Sequence, residues 1–210
     1  MKIVAALTDP ANAALAKEQG ADIIELRLDL METDPAEAVQ QCRKLSSLPV
    51  IATFRSAQEG GRYFGNGDEW EKKIRPLLPL VDFVDVEQQF MRNAACVKEA
   101  GKKIIASHHA PIMMPLPVLF VLERELRGYG DIVKIIMTPQ NENDIIELLA
   151  FTHEIKLPIC TGVMGSKFRF ARAVLPLFGS ELVYCHVGAA TAEGQYSVEE
   201  FVQLKNLLLG

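Results

Sequence analysis

Eight short apolar runs, each followed by a stretch of helical pattern, set the tightest limit on what this 210-residue chain can fold into. The runs cover residues 2–7, 22–29, 49–55, 82–87, 103–109, 132–137, 158–164 and 182–188, and β-branched residues are frequent in them. Asp9-Pro10 and Asp34-Pro35 each start a helix by the pattern of a capping residue before a proline, and Gly20 stops the first of them. Further helices are predicted over 69–80, with Asp68 as the cap, 88–100, closed by Gly101, 117–127, 142–155, 167–178 and 197–208. Strict alternation of strand and helix implies a parallel sheet, and eight units close it into a (β/α)₈ TIM barrel. An open doubly wound sheet would carry a glycine fingerprint after the first strand, and Leu7-Thr8-Asp9-Pro10 is nothing like one. We expect one domain over residues 1–210, with lean loops.

Strand parity then sorts the side chains. Apolar Ile24, Leu26 and Leu28 face the helices, which leaves Glu25, Arg27 and Asp29 pointing into the barrel. By the same alternation Thr53 and Arg55, Asp85 and Glu87, and Lys134 point inward. A structural barrel core would be filled with Val, Ile and Leu. Charges from four strands on one side describe a functional lumen, the alternative being an ion-pair network that is expensive to bury.

Lys134 sits in the middle of Asp131-Ile-Val-Lys134-Ile-Ile-Met137, where an ammonium costs several kcal/mol unless it is paired or deprotonated. A neutral amine there would attack a carbonyl and form a Schiff base. A lysine paired with a nearby acid is the plainer reading, and this stretch alone does not separate the two. In Ser107-His108-His109 the adjacent histidines face opposite ways, and parity sends His109 into the lumen, where an imidazole suits proton transfer. Adjacent positions do not make a metal pair. His153 falls on a helix as a surface residue, and His186 reads as a satisfied core histidine.

Two loops lie at the end where barrel chemistry sits. One carries Glu59-Gly60-Gly61 and Gly65-Asn66-Gly67. The other runs from Gly188 to Gln195 and is either a lid, with Thr191 and Gln195 as contacts, or a phosphate-holding loop. Arg172, after the seventh strand, is a candidate carboxylate clamp, although an arginine on a helix is usually solvated. A net charge of −5 with acids and bases interspersed gives no basic face for nucleic acid or an anionic membrane. Four separated cysteines lack metal spacing and suggest reduced thiols. The first apolar run is too short for a secretory signal, and no stretch is long enough to span a bilayer. A soluble cytoplasmic protein is expected.

Taken in order, Glu25-Leu-Arg27-Leu-Asp29, Thr53-Phe-Arg55-Ser56 with Glu59-Gly-Gly, Val84-Asp-Val-Glu87, Ser107-His-His109, Val133-Lys134-Ile135, Met164 through Arg172 and Ala192-Glu-Gly-Gln195 form a specific set. By these the chain resembles the type I 3-dehydroquinate dehydratases, hydro-lyases of the shikimate pathway of aromatic amino-acid biosynthesis. The resemblance implies that Lys134 forms an imine with the C3 ketone of 3-dehydroquinate. It implies that His109 is the general base and acid of a syn-elimination giving 3-dehydroshikimate, and that Glu59 orients and charges that histidine. Glu25, Arg27 and Arg55 would bind substrate hydroxyls and developing charge, Arg172 the carboxylate, and Thr191 with Gln195 would be lid contacts. No metal or organic cofactor is implied, and a homodimer is.

Departures from the family pattern are visible too. Ala5 or Ala6 stands where serine is common, Thr191 where serine is frequent and Glu193 where proline is frequent. Many members carry an N-terminal hairpin over the barrel's bottom, whereas this chain starts directly with strand one and must close that end differently. A class I aldolase would share Lys134 but should add a phosphate-binding loop. A non-catalytic metabolite-binding barrel would tolerate loss of Lys134 and His109, and both are present.

Overall fold

Strand and helix alternate throughout residues 1–209, the part of the chain that the computed structural model describes. The strands are β1 (Lys2–Leu7), β2 (Ile23–Arg27), β3 (Val50–Thr53), β4 (Phe83–Glu87), β5 (Lys103–His109), β6 (Ile132–Met137), β7 (Ile159–Val163) and β8 (Leu182–His186). Between and after them come α1 (Ala13–Glu18), α2 (Pro35–Leu45), α3 (Gly67–Ile74), α4 (Ala94–Glu99), α5 (Leu116–Arg127), α6 (Glu142–Glu154), α7 (Ala171–Val174) and α8 (Val198–Leu209). Every strand pair is parallel, in the order β7-β6-β5-β4-β3-β2-β1-β8. This is the expected (β/α)₈ barrel. No helix among the described residues is long and apolar enough to cross a membrane.

Local chemistry explains where the helices begin. Asp34 accepts hydrogen bonds from the backbone N–H groups of Ala36 and Glu37, with Pro35 at the first helical position. Ahead of α3 the cap is Asn66, which forms a reciprocal capping box with Glu69, so Asp68 falls inside the first turn instead of capping it. The helix expected over 69–80 also ends early. Residues 75–80 are 3₁₀, because Pro76 and Pro79 cannot donate the α-helical hydrogen bonds. The helices expected over 88–100 and 167–178 are likewise 3₁₀ in part, over Gln88–Asn93 and Leu175–Phe178.

The barrel has two apolar layers. Outward strand residues such as Leu7, Ile24, Leu26, Val84, Val133 and Ile135 are fully buried against the helices. Inward residues at the strand starts, Val4, Ile23, Ile51, Ile105, Cys160 and Leu182, pack together with Phe83 and Ile132 as a plug. The bottom of the barrel is thus stoppered by its own strands. Glu25 and Lys134 come two residues after Ile23 and Ile132 on the same face, so the charged level rests directly on this plug.

Closure is uneven. β8 pairs with β1 over five residues, whereas β7 and β8 share no ladder among the described residues. A single backbone bond, from the Glu181 N–H to the Ile159 carbonyl at 2.7 Å, and buried Ser180 join them instead: the serine Oγ accepts from the Thr161 N–H at 3.0 Å and lies 3.1 Å from the Thr161 carbonyl and 3.3 Å from that of Leu182. Removing the hydroxyl orphans a buried N–H, which costs about 1–3 kcal/mol. Ser180→Ala should therefore lower the free energy of unfolding by that amount in urea titration, and an unchanged midpoint and slope would show that the seam is held otherwise.

Candidate active site

The charged residues of the lumen converge above the plug. β6 delivers Lys134, opposite Ser107 of β5, and β4 delivers Glu87 beside the same serine. Lys134 Nζ donates to Asp85 Oδ2 at 3.1 Å, lies 3.7 Å from Glu25 Oε1 and sits 3.8 Å above the centre of the Tyr184 ring. The buried lysine is thus paired with acids on both sides. Thr53 fixes the other acid by donating to Glu25 Oε1 at 2.8 Å.

Arg55 is the hub of the wall. Its Nη1 donates to Glu87 Oε1 at 2.8 Å, to Ser107 Oγ at 3.1 Å and to Glu59 Oε2 at 3.2 Å. Its Nη2 is 2.9 Å from Asp85 Oδ1, off the hydrogen-bond direction. Burial opposes the charge on Arg55, yet Asp85, Glu87, Glu59 and Glu25 together raise its pKa above the usual guanidinium value. Burial likewise works against charge on Asp85, and Arg55 and Lys134 outweigh it and hold that carboxyl below its ordinary range.

Glu59 reaches the lumen because its loop folds back on β3. A side chain on Gly61 would stand 2.1 Å from the Arg55 carbonyl oxygen, so only glycine allows that approach. Glu59 Oε2 is 2.8 Å from His109 Nδ1, and the His109 backbone N–H donates to it at 3.1 Å. Burial foremost, opposed by Arg55, pushes Glu59 up to about 8. Burial and then the positive charges of Arg55 and Lys134 hold His109 well below 6.5. With Nδ1 engaged by Glu59, Nε2 is the ring nitrogen of His109 that has no hydrogen-bond partner among the described residues.

The parity expectations hold for Glu25, Arg27, Arg55, His109 and Lys134, all of which line one cavity of about 120 Å³. An apolar cavity of about 150 Å³ admits benzene, so this space suits a single small ring. Glu59, Arg172, Thr191 and Gln195 line it too, together with Ile136, Met164 and Tyr184. Asp29 departs from expectation. β2 ends at Arg27, and Asp29 lies in a 3₁₀ turn, where it grips Arg27 Nε and Nη2 at 2.9 Å each. Arg172 has its Nε buried without a partner and no carboxylate within ion-pair distance among the described residues; Nη2 donates to the Glu193 carbonyl at 3.2 Å. Burial first of all lowers its pKa. Thr191 donates from both N–H and Oγ to Gln195 Oε1, each at 3.0 Å, so the last loop is tied to itself over the cavity.

His153 is exposed, as expected. His186 is not the satisfied core histidine expected of it: it is half-buried and its Nδ1 has no hydrogen-bond partner among the described residues. Sequence reasoning gave Asp85 and Glu87 their inward direction but no role, and it passed over Tyr184. Period-two alternation from Leu182 would have found the tyrosine. Among the described residues no group of three or more His, Cys, Asp or Glu side chains could hold a metal ion.

The chain is similar to known proteins over its whole length. A 3-dehydroquinate dehydratase of Methanoregula boonei is 66% identical over 208 residues, which cover 99% of this chain and all of that protein. One of Methanospirillum hungatei is 39% identical over 208 residues, 99% of this chain and 81% of the relative. The crystal structure of the 3-dehydroquinate dehydratase from Aquifex aeolicus superposes with a TM-score of 0.85 at 31% identity, covering 100% of this chain and 99% of that one. That of the type I enzyme from Clostridium difficile, with covalently modified comenic acid, gives 0.87 at 27% identity over 99% and 91%. A family model described as type I 3-dehydroquinase matches residues 5–209, and with these relatives it shows that the chain belongs to the type I 3-dehydroquinase family.

Proposed function

We propose that this chain removes water from 3-dehydroquinate through an imine on Lys134. Hydro-lyase activity on 3-dehydroquinate, in the shikimate pathway, follows from family membership. The covalent route rests on one observation: a buried amine and an imidazole line the same ring-sized cavity. The covalently modified comenic acid of the Clostridium difficile relative agrees with a site that captures an electrophile.

The steps follow from the residues. Lys134 Nζ, once it gives up a proton, adds to the C3 ketone, and the carbinolamine loses water to become a protonated imine. The iminium withdraws electrons from the neighbouring carbon, so an imidazole is a strong enough base for the C2 proton. His109 takes it, and the resulting imidazolium is balanced by Glu59 at 2.8 Å. The enamine then expels the C1 hydroxyl, which leaves as water with the proton from His109. Water hydrolyses the conjugated imine, releasing 3-dehydroshikimate and the amine. No cofactor enters any step.

The remaining groups hold the ring. Arg172, whose Nε is without a partner, binds the substrate carboxylate. Glu25 and Arg27 meet the hydroxyls. Arg55, with Nη1 shared among Glu87, Ser107 and Glu59, acts mainly by fixing the acids that face the substrate. Thr191 and Gln195 exchange their mutual bond for contacts to the bound ring.

Borohydride added with 3-dehydroquinate should leave a ligand mass on the peptide containing Lys134, and labelling at any other lysine would exclude the imine route. His109→Ala should reduce kcat by roughly 10²–10⁴-fold and let the trapped imine accumulate; near-normal turnover would remove His109 from the chemistry. The base form of His109 exists above its own pKa, which burial and nearby cations set well below 6.5. The acid limb of kcat/KM against pH should accordingly fall below 6.5. A limb at or above that value would assign the base to another group.

A further inference from the structure

Tyr184 is the one polar group of the cavity wall that the mechanism above leaves unused. Its ring lines the cavity and lies 3.8 Å beneath Lys134 Nζ, well inside the roughly 6 Å reach of a cation–π contact. Its hydroxyl is buried with no hydrogen-bond partner among the described residues. A donor left so costs stability and gains nothing for the fold. The ring face, rather than the hydroxyl, is therefore the part with a use.

What the face can do depends on how the nitrogen changes. As an ammonium, Lys134 has three N–H donors and serves Asp85 at 3.1 Å with Glu25 nearby at 3.7 Å. As a protonated imine the nitrogen keeps its positive charge but only one N–H, enough for one carboxylate. Hydrogen bonding to the acids is cut back at the moment the intermediate forms. Attraction to a π face needs no hydrogen and survives the change intact. We infer that Tyr184 is a positioning residue for the nucleophile, its ring face seating the charged nitrogen of Lys134 as ammonium and then as iminium. The inference rests on the imine reading proposed above.

Replacing Tyr184 by Phe and then by mono-, di- and trifluorinated phenylalanines withdraws electron density from the face in steps while keeping its shape. Phe should retain kcat within about twofold and raise the unfolding midpoint, since it removes the orphaned hydroxyl. Across the fluorinated series kcat should fall stepwise, on the order of tenfold in all, while KM moves less. The borohydride-trapped fraction on Lys134 should fall with it. A flat series, or a Phe variant as slow as the trifluorinated one, would overturn the role given to the face. Lack of trapping on Lys134 in the unaltered protein would instead remove the imine itself, so the two failures are distinguishable.

Discussion

The rest of the site depends on charge balance in a sealed space. Glu25, Glu59, Asp85 and Glu87 share the lumen with Lys134 and Arg55, and Arg27 and Arg172 line the same cavity, so acids and permanent cations are matched four to four. Solvent reaches little of this network, and the side chains of Arg55 and Lys134 are each only 4% exposed. Unscreened, each acid feels the others, which is part of why Glu59 rises while Asp85, between two cations, falls. Around Lys134 itself the nearest charges are Asp85 at 3.1 Å and Glu25 at 3.7 Å, a setting that favours an intermediate carrying positive charge on that nitrogen. An imine-forming lysine is the reagent that exploits it.

The fold supplies what this balance requires. Apolar packing fills the bottom of the barrel, and the acids above it keep fixed partners. The acids themselves are carried on short parallel strands whose registers set their heights, Glu87 level with Ser107 and Ser107 level with Lys134. Loop residues add the movable parts. Gly61 lets Glu59 drop onto His109, and Gly194, at φ +73° and with Gly165 against its α-carbon, seats the last loop on the turn after β7.

Much of this was legible in the chain, because a barrel strand has a period of two and its outward face must be apolar. Ile24 and Leu26 thereby betray Glu25 and Arg27, and Val133 and Ile135 betray Lys134. The same rule misplaced Asp29, since a strand's end is not written in its periodicity: the chain turns at Arg27, where ψ is 73°. Asn66 was overlooked as a cap because Asp68, two residues on, carries an equally good capping side chain. Tyr184 was missed because an aromatic residue in an apolar run reads as core until its neighbour across the barrel is known. The pairing of Glu59 with His109 links residues 50 apart, which no periodicity can show, so in the sequence it was visible only through the family resemblance.

The serine-sutured seam has a further consequence. Seven of the eight strand interfaces are continuous ladders, and the eighth lies between the strand that leads to Arg172 and the strand that leads to Thr191 and Gln195. Cooperative hydrogen bonding resists shear, so a cylinder built this way is stiff around most of its circumference and compliant along one line. Arg172 on one side, and Thr191 with Gln195 on the other, hang from the two lips of that line. Entry and release can then proceed as a local breathing of the wall, leaving the Lys134 level, on the stiff arc from β2 to β6, undisturbed.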